Sequence, residues 1–293
     1  MLSLIIGTVG YALFSITVKA ATRRGCNIVA VGLVNYLVAA GFYCVLVLPT
    51  PPPERSVTLL AIAGGVVFFV AYLVLTQLIR RSGLSITISV VQLAVLIPVL
   101  AGILIWGERP NLLQGVGVLC AISALPLLGK ASAVRAGAAT EAGTGPAAEG
   151  RNIRGMLLTG SQLCLTGAAM MILQAVNHVG AGGEDRPLFF AILFTVALVG
   201  TGGAWLILER RISGTDIIYG LFLGSWNTIH GFMLVDAMST LPGAVVFPFV
   251  SIVSMLLSVL AAVRIWGERL ERTGKIGIAL ALVAVLFINI GRG

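Results

Sequence analysis

The sequence predicts an all-α integral membrane protein with ten transmembrane helices in two inverted five-helix repeats. Three observations lead to this prediction. Of the 293 residues, 58% are hydrophobic and 10% are charged, whereas a soluble domain carries roughly 25% charged residues. Ten apolar segments follow one another, each with the roughly 20 residues that a membrane-spanning helix needs. One five-residue motif occurs twice, at residues 105–109 and 265–269.

The apolar segments are separated by residues typical of turns. Examples are the run from Pro49 to Pro53 and the run from Gly180 to Pro187, because proline and glycine interrupt regular structure. The predicted helices lie near residues 2–21, 27–48, 57–79, 84–106, 111–129, 153–176, 188–208, 215–237, 241–265 and 272–291.

The repeated motif reads Ile-Trp-Gly-Glu-Arg in both copies, and each copy ends an apolar helix and precedes one rich in small residues. We therefore predict a first repeat over residues 1–129 and a second over residues 153–293. Residues 130–152 are rich in Ala, Gly, Thr and Glu, a composition that predicts a flexible linker. Because each repeat has five helices, the two lie in opposite orientations, a plan common among alternating-access carriers.

The formal net charge of +8 reflects basic residues at helix ends, not a basic stripe with interleaved aromatic residues, so we expect no nucleic-acid partner. The predicted loops that follow odd-numbered helices hold fifteen Lys and Arg, and the opposite side holds four, namely Arg55, Arg109, Arg186 and Arg292. The positive-inside rule then places both termini outside the membrane.

Motifs for enzyme chemistry are missing from the sequence. It contains no HExxH motif, P-loop or EF-hand, and the four cysteines lie singly without metal-ligand spacing. We predict no catalytic residue, no metal, no cofactor and no disulfide. The expected surroundings are a lipid bilayer and a small-molecule substrate.

The two Trp-Gly-Glu-Arg turns, at residues 106–109 and 266–269, lie between the fourth and fifth helix of each half. This arrangement resembles the EamA repeat of the drug/metabolite transporter superfamily, and the segment from Leu241 to Pro248 also looks like that family's penultimate helix. The resemblance extends over nearly the whole chain. It implies a ten-helix transporter of the plasma membrane, most simply a bacterial inner membrane, with export as the frequent direction of transport.

Two features depart from the resemblance. Ten-helix members of the family usually have cytoplasmic termini, whereas the charge count places them outside. Small multidrug exporters of the superfamily carry a glutamate eight residues before a lysine in the first helix. Aligning that lysine with Lys19 puts Tyr11 at the glutamate position, and no acidic residue lies in the middle of any predicted helix. The sequence therefore argues against proton-coupled export of lipophilic cations by that route.

Several predicted helices place polar residues on one face, and such faces should point away from lipid. The most polar stretch within a helix is residues 224–231. There the indole of Trp226, the amide of Asn227 and the imidazole of His230 suit an aromatic or amino-acid-like solute. The predicted substrate-binding residues are Tyr11, Ser15, Lys19, Gln92, Gln162, Trp226, Asn227 and His230. The alternative is that these groups only form hydrogen bonds between helices.

Several other polar residues have more than one interpretation or a structural one. Lys19 either extends to the membrane interface, pairs with a carbonyl or helix end, or contacts an anionic substrate group. Asp236 is either a residue of the membrane interface or a functional residue, which would act as a gate or contact an ammonium group. Glu108 and Glu268 are predicted to cap the helix that follows each turn. Pro98 and Pro248 interrupt hydrogen bonding in the fourth and ninth helices.

These observations favour a secondary transporter, expected to export a small polar or amphipathic metabolite such as an amino acid by alternating access. One alternative is an exchanger or uniporter of an anionic metabolite that uses Lys19. Alternatives of another class are a membrane-embedded enzyme, a lipid-handling protein or a passive scaffold. The small residues of the fifth and tenth helices fit either packing within one chain or a homodimer.

Overall fold

The computed structural model describes residues 2–47, 54–82, 91–109, 111–137, 148–179, 185–208, 210–267 and 272–290, and over these residues the protein is helical with no strand. The ten helices of this described part match the ten predicted apolar segments in number and order. They are α1 (Leu2–Arg23), α2 (Ile28–Val47), α3 (Arg55–Ser82), α4 (Leu96–Leu104), α5 (Leu112–Gly137), α6 (Ala148–His178), α7 (Asp185–Leu208), α8 (Gly214–Met238), α9 (Gly243–Trp266) and α10 (Arg272–Ile290).

Within the described ranges, six helices contain a stretch that is long and apolar enough to cross a membrane, namely all but α4, α5, α8 and α10. Shorter apolar stretches lie at Val91–Leu104, Leu112–Ala124 and Lys275–Phe287. Helix α8 belongs to neither group, because the polar side chains between Ser225 and His230 lower its mean hydropathy. A helix of this kind needs protein neighbours on its polar side.

The fourth helix is shorter than predicted. Residues 91–93 are helical, a turn follows at residues 94–95, and α4 then begins at Leu96. Residues 83–90, which include the start of the predicted helix, lie outside the described residues. Helix α5 continues to Gly137 and α6 begins at Ala148, so both ends of the segment predicted as a linker are helical and residues 138–147 are not described.

The chain forms two compact units. The first unit comprises Met1–Leu73 and Ala168–Leu241, and the second comprises Val74–Gly167 and Pro242–Gly293. Each unit therefore combines segments from both halves of the sequence. The boundaries fall inside α3 and α6.

In the first unit, α8 packs against α1 and α2, and α2 also packs against α7. The aromatic ring of Tyr43 on α2 stacks on Phe190 and Phe194 of α7, with centroid distances of 5.1 and 5.8 Å. The Tyr43 hydroxyl donates a hydrogen bond to the Thr228 carbonyl of α8 at 2.9 Å. These contacts fix one side of α8 and leave its other side for α1.

In the second unit, α5 packs along α10, and α9 contacts α4, α5 and α10. Ala121 and Ala124 of α5 and Ala281 and Ala284 of α10 are fully buried. Small side chains at such positions let helix backbones approach closely.

The Glu108 carboxylate has a different partner from the one predicted. It accepts hydrogen bonds from the backbone N–H groups of Gly243 at 3.0 Å and Ala244 at 2.7 Å, so it caps the start of α9. The helix that follows Glu108, α5, is capped instead by reciprocal bonds between Asn111 and Gln114. The prediction that Glu108 caps the following helix was therefore wrong in its partner, and Glu268 lies outside the described residues.

The glycine within each Trp-Gly-Glu-Arg copy takes a left-handed backbone conformation. The φ angle is +63° at Gly107 and +64° at Gly267, a region that glycine enters without steric cost. The repeated sequence thus bends the backbone in the same way after α4 and after α9.

Candidate functional site

A polar contact line runs between α1 and α8 in the first unit, and we call it the α1–α8 seam. The two helices are antiparallel, because Ser3 contacts Asp236, Gly7 lies against Met233 and His230, and Gly10 lies against Trp226 and His230. The seam residues are Ser3, Gly7, Gly10 and Tyr11 of α1 and Trp226, His230, Met233 and Asp236 of α8.

The α1 backbone lies close to α8 at the two glycines of the seam. A Cβ atom added at Gly7 would lie 3.2 Å from the Met233 Cβ, and one added at Gly10 would lie 3.4 Å from the His230 Cβ. The first of these distances is shorter than an ordinary carbon–carbon contact. Glycine at position 7 therefore lets the α1 backbone come within reach of the His230 ring.

The imidazole of His230 lies between two partners on α1. Its Nδ1 atom is 2.9 Å from the Gly7 carbonyl oxygen, and its ring stacks on Tyr11 with a centroid distance of 4.6 Å and an angle of 24°. A carbonyl oxygen only accepts hydrogen bonds, so Nδ1 carries the proton. In the neutral ring, Nε2 is then left as a hydrogen-bond acceptor.

Three polar atoms of the seam residues have no hydrogen-bond partner among the described residues. They are the Tyr11 hydroxyl, His230 Nε2 and Trp226 Nε1, and each belongs to a half-buried side chain. The hydroxyl donates and accepts, the imidazole nitrogen accepts and the indole N–H donates. Together with two aromatic faces, these are the kinds of group that recognise a small solute with both donors and acceptors.

Asn227 has a partner that the sequence reasoning missed. Its Nδ2 atom donates to the Oδ1 atom of Asn35 on α2 at 3.2 Å, and Asn35 is buried. The available signal was that Asn35 is the single amide in the apolar run of α2. This bond supports the interpretation of Asn227 as a link between helices, which also orients the α8 face that carries Trp226 and His230.

Ser15 and Lys19 continue along α1 from Tyr11. The Ser15 hydroxyl donates to the Tyr11 carbonyl at 3.0 Å, so its proton is used within its own helix. Lys19 is half-buried and lies eight residues from Tyr11, roughly 12 Å along a helix axis. The structure therefore places both on the same helix as Tyr11, with the Ser15 hydroxyl bonded to the Tyr11 backbone and Lys19 about two turns further along.

Gln92 and Gln162 belong to the second unit, and each residue is 2% exposed. The Gln162 amide donates to the Thr166 hydroxyl at 3.0 Å. The side-chain oxygens of both glutamines are buried without a hydrogen-bond partner in the described structure. A buried carbonyl oxygen of this kind favours a ligand with hydrogen-bond donors.

The start of α8 is fixed by a buried carboxylate. Asp216 accepts from the backbone N–H groups of Asn27 at 2.9 Å and Ser213 at 2.8 Å, and Ser213 caps the helix in return at 3.1 Å. Burial raises the pKa of the Cys26 thiol in the adjoining α1–α2 turn, and the nearby Asp216 charge adds to that rise. Cys26 is therefore a poor nucleophile at neutral pH.

Metal chemistry finds no support within the described part of the chain, where no group of three or more His, Cys, Asp or Glu could hold an ion. All four cysteines are free thiols.

Comparisons with known proteins give similarities of two kinds. A family model described as sugar transport protein matches residues 1–130, less than half of the chain. A solved structure titled "Crystal structure of protein" superposes with a TM-score of 0.74, at 15% sequence identity and over 98% of both chains. At that identity the likeness shows the fold alone. No curated protein matches.

The apolar helices and the family match together indicate a multi-pass membrane transporter. A transporter family also points away from an enzyme. The comparisons do not confirm the resemblance to EamA-type proteins in particular.

Proposed function

We propose that this chain is a secondary membrane transporter for a small, neutral, polar solute, with a sugar-like compound as the first substrate class. The observation that carries the proposal is the stacked Tyr11–His230 pair beside Trp226, with three polar atoms that have no partner among the described residues. The family match over residues 1–130 supports transport of this class.

Sugars combine two surfaces that suit these side chains. Their C–H faces pack on aromatic rings, and their hydroxyl groups both donate and accept hydrogen bonds. An aromatic pair with one donor, one acceptor and one hydroxyl provides partners for both surfaces. We therefore place a sugar or polyol ahead of the other solutes that the sequence allows.

An amino acid is the second substrate class. A zwitterion requires opposite charges near both of its ends, and the charged residues nearest along the two seam helices are Lys19 and Asp236. These lie roughly 12 Å from Tyr11 and roughly 9 Å from His230 along the helix axes. An anionic metabolite would depend on Lys19 and is the third class.

The transport cycle that we propose is alternating access between the two predicted inverted repeats. The sequence contains no P-loop, so direct ATP drive is not part of the proposal. Net export is the direction that the EamA resemblance implies.

Counterflow in proteoliposomes tests the substrate class without assuming a direction of transport. Vesicles are loaded with one unlabelled sugar, polyol, amino acid or organic anion, and transient uptake of the same labelled compound is followed. We expect saturable counterflow for at least one sugar or polyol. Counterflow for amino acids or anions only would contradict the substrate class, and none for any compound would contradict transport itself.

Three conservative variants test the site. Tyr11→Phe removes one hydroxyl, Trp226→Phe removes one N–H group, and His230→Asn keeps a donor near the Gly7 carbonyl but removes Nε2. Each should raise the KM for counterflow by about two- to tenfold, the effect of one neutral hydrogen bond. Ser225→Ala is the matched control, because Ser225 is exposed and its hydroxyl bonds the Leu221 carbonyl of its own helix. Unchanged KM in all three variants would move the site elsewhere.

A further inference from the structure

A network of charged and polar side chains closes one end of the α1–α8 seam. The Ser3 hydroxyl donates to Asp236 Oδ2 at 2.5 Å, and Arg186 Nη1 lies 3.1 Å from Asp236 Oδ1. Arg186 Nη2 also donates to Asn177 Oδ1 at 3.3 Å, and the Asn177 amide donates to the Val235 carbonyl at 3.1 Å. Four helices of the first unit, α1, α6, α7 and α8, are therefore joined at this end.

The two charges differ in their exposure. The Arg186 side chain is 14% exposed, whereas that of Asp236 is 41% exposed. The Nε atom of Arg186 is buried and has no hydrogen-bond partner among the described residues. Arg186 thus depends on Asp236 for charge compensation, while Asp236 is open enough for water to replace its bonds.

The network lies on the same line of contacts as the aromatic pair. Ser3, Gly7 and Tyr11 are spaced four residues apart on α1, so they share one face of the helix. On α8, Asp236 is six residues beyond His230, roughly 9 Å along the axis. The bonded side chains therefore lie at the end of the seam where α1 begins and α8 ends, about two turns from the aromatic pair.

We propose that the Arg186–Asp236 ion pair is a gate that holds this end of the seam closed and opens to admit solute to Tyr11 and His230. The gate rests on the proposed transport function. Its bonds are polar and at helix ends, so they can be exchanged for bonds to water without disturbing the aromatic core of the unit. Ser3 stabilises the closed state by holding the second oxygen of Asp236.

Thiol accessibility in lipid nanodiscs tests the gate without a transport assay. The native cysteines are replaced by alanine, and Tyr11→Cys or, as a second reporter, Phe14→Cys is labelled with a water-soluble maleimide. In the Asp236→Asn background we expect the labelling rate to be about fivefold higher. This factor is the increase in the open population that follows from the loss of an ion pair with one partly exposed partner. Ser3→Ala should give a smaller increase.

Three controls separate a gate from a general structural tie. Asp185→Asn removes a neighbouring acid for which the structure shows no side-chain partner among the described residues, and labelling should stay at the parent rate. The charge-exchanged pair Arg186→Asp with Asp236→Arg should restore slow labelling. A cysteine at the fully buried Ala39 should remain unreactive in every background.

Equal labelling rates in parent and Asp236→Asn would overturn the gate, and so would a rise at position 39 as well as at position 11. Faster labelling at position 11, with no counterflow of any solute by the parent protein, would keep the opening of this end but reject the transport function. Counterflow with an unchanged labelling rate would keep the transport function but reject the gate.

Discussion

At the scale of single residues, the polar groups on the predicted faces separate into two kinds. Ser15 and Asn227 form hydrogen bonds within and between helices, as the alternative interpretation of the sequence required. Tyr11, Trp226 and His230 keep polar atoms without partners among the described residues. Sequence alone could not make this distinction, because it depends on which neighbour each group meets.

Replacing Asn35 by leucine should destabilise the first unit. The change leaves the Asn227 amide without its bond to Asn35, and a hydrogen bond between membrane helices contributes about 0.6 kcal/mol, with roughly 1.7 kcal/mol as an upper value. The free energy of unfolding in mixed micelles measures the loss. The Asn35→Leu and Asn227→Leu double variant should lose less than the sum of the single variants, whereas strict additivity would contradict a direct bond.

The residues that sequence reasoning placed wrongly or missed share one cause. Glu108 caps α9, which begins 135 residues later, and Asn35 pairs with Asn227 across 192 residues. A local pattern predicts a cap for the next helix, since nearby groups are the usual partners. Long-range partners follow from packing, which the pattern of apolar residues does not specify.

At the scale of the elements, α8 depends on close approach to its neighbours. A Cβ atom added at Gly224 would lie 2.7 Å from the Val38 Cβ and 2.8 Å from the Asn35 carbonyl oxygen. Both distances are too short for unstrained contact, and one of the atoms is backbone. Glycine at this position therefore determines how closely α8 and α2 pack.

Gly224→Ala should lower thermal stability through overpacking, by about 1–3 kcal/mol. The matched control is Gly41→Ala in α2, where an added Cβ meets no atom within 4 Å. That change should be neutral or stabilising by up to about 1 kcal/mol, because alanine has the higher helix propensity. Unfolding in detergent, followed by the loss of monodisperse protein with temperature, compares the two. Equal shifts in Tm would show that the contact has no energetic role.

Hydropathy predicted the number and order of the helices better than the residues at which they begin and end. Helix α4 begins after a turn at residues 94–95, inside a segment that reads as one continuous apolar run. Pro98 lies just beyond this turn and cannot donate the hydrogen bond that a continuous helix needs. The sequence thus carried the signal for an irregular helix but not the position of the break.

At the scale of the whole molecule, the number and order of the helices followed from composition and apolar length. Their grouping did not, because each compact unit takes segments from both halves of the chain. The predicted inverted repeats concern the order of the segments along the sequence. Which helices then pack together depends on contacts such as those of α1 with α8 and α5 with α10.

The charge distribution predicts the orientation of the chain in the membrane. With fifteen Lys and Arg on one side and four on the other, both termini should lie outside. Alkaline phosphatase fused after Gly293 should be active in bacterial cells, and green fluorescent protein inserted within residues 138–147 should fluoresce. The opposite pair of signals would reverse the orientation, and a mixture would contradict the count of ten crossings.

The contact between α1 and α8 also has a consequence for biogenesis. His230 bonds the carbonyl of a residue 223 positions earlier, so α1 leaves the ribosome long before its partner exists. At about 5–20 residues per second, the interval is roughly 10–45 s. During this time the polar side of α1 meets lipid, the insertion machinery or a provisional helix partner. Completion of the seam is therefore among the last steps of synthesis, and a nascent chain that stops before α8 cannot bury that side of its first helix in the native way.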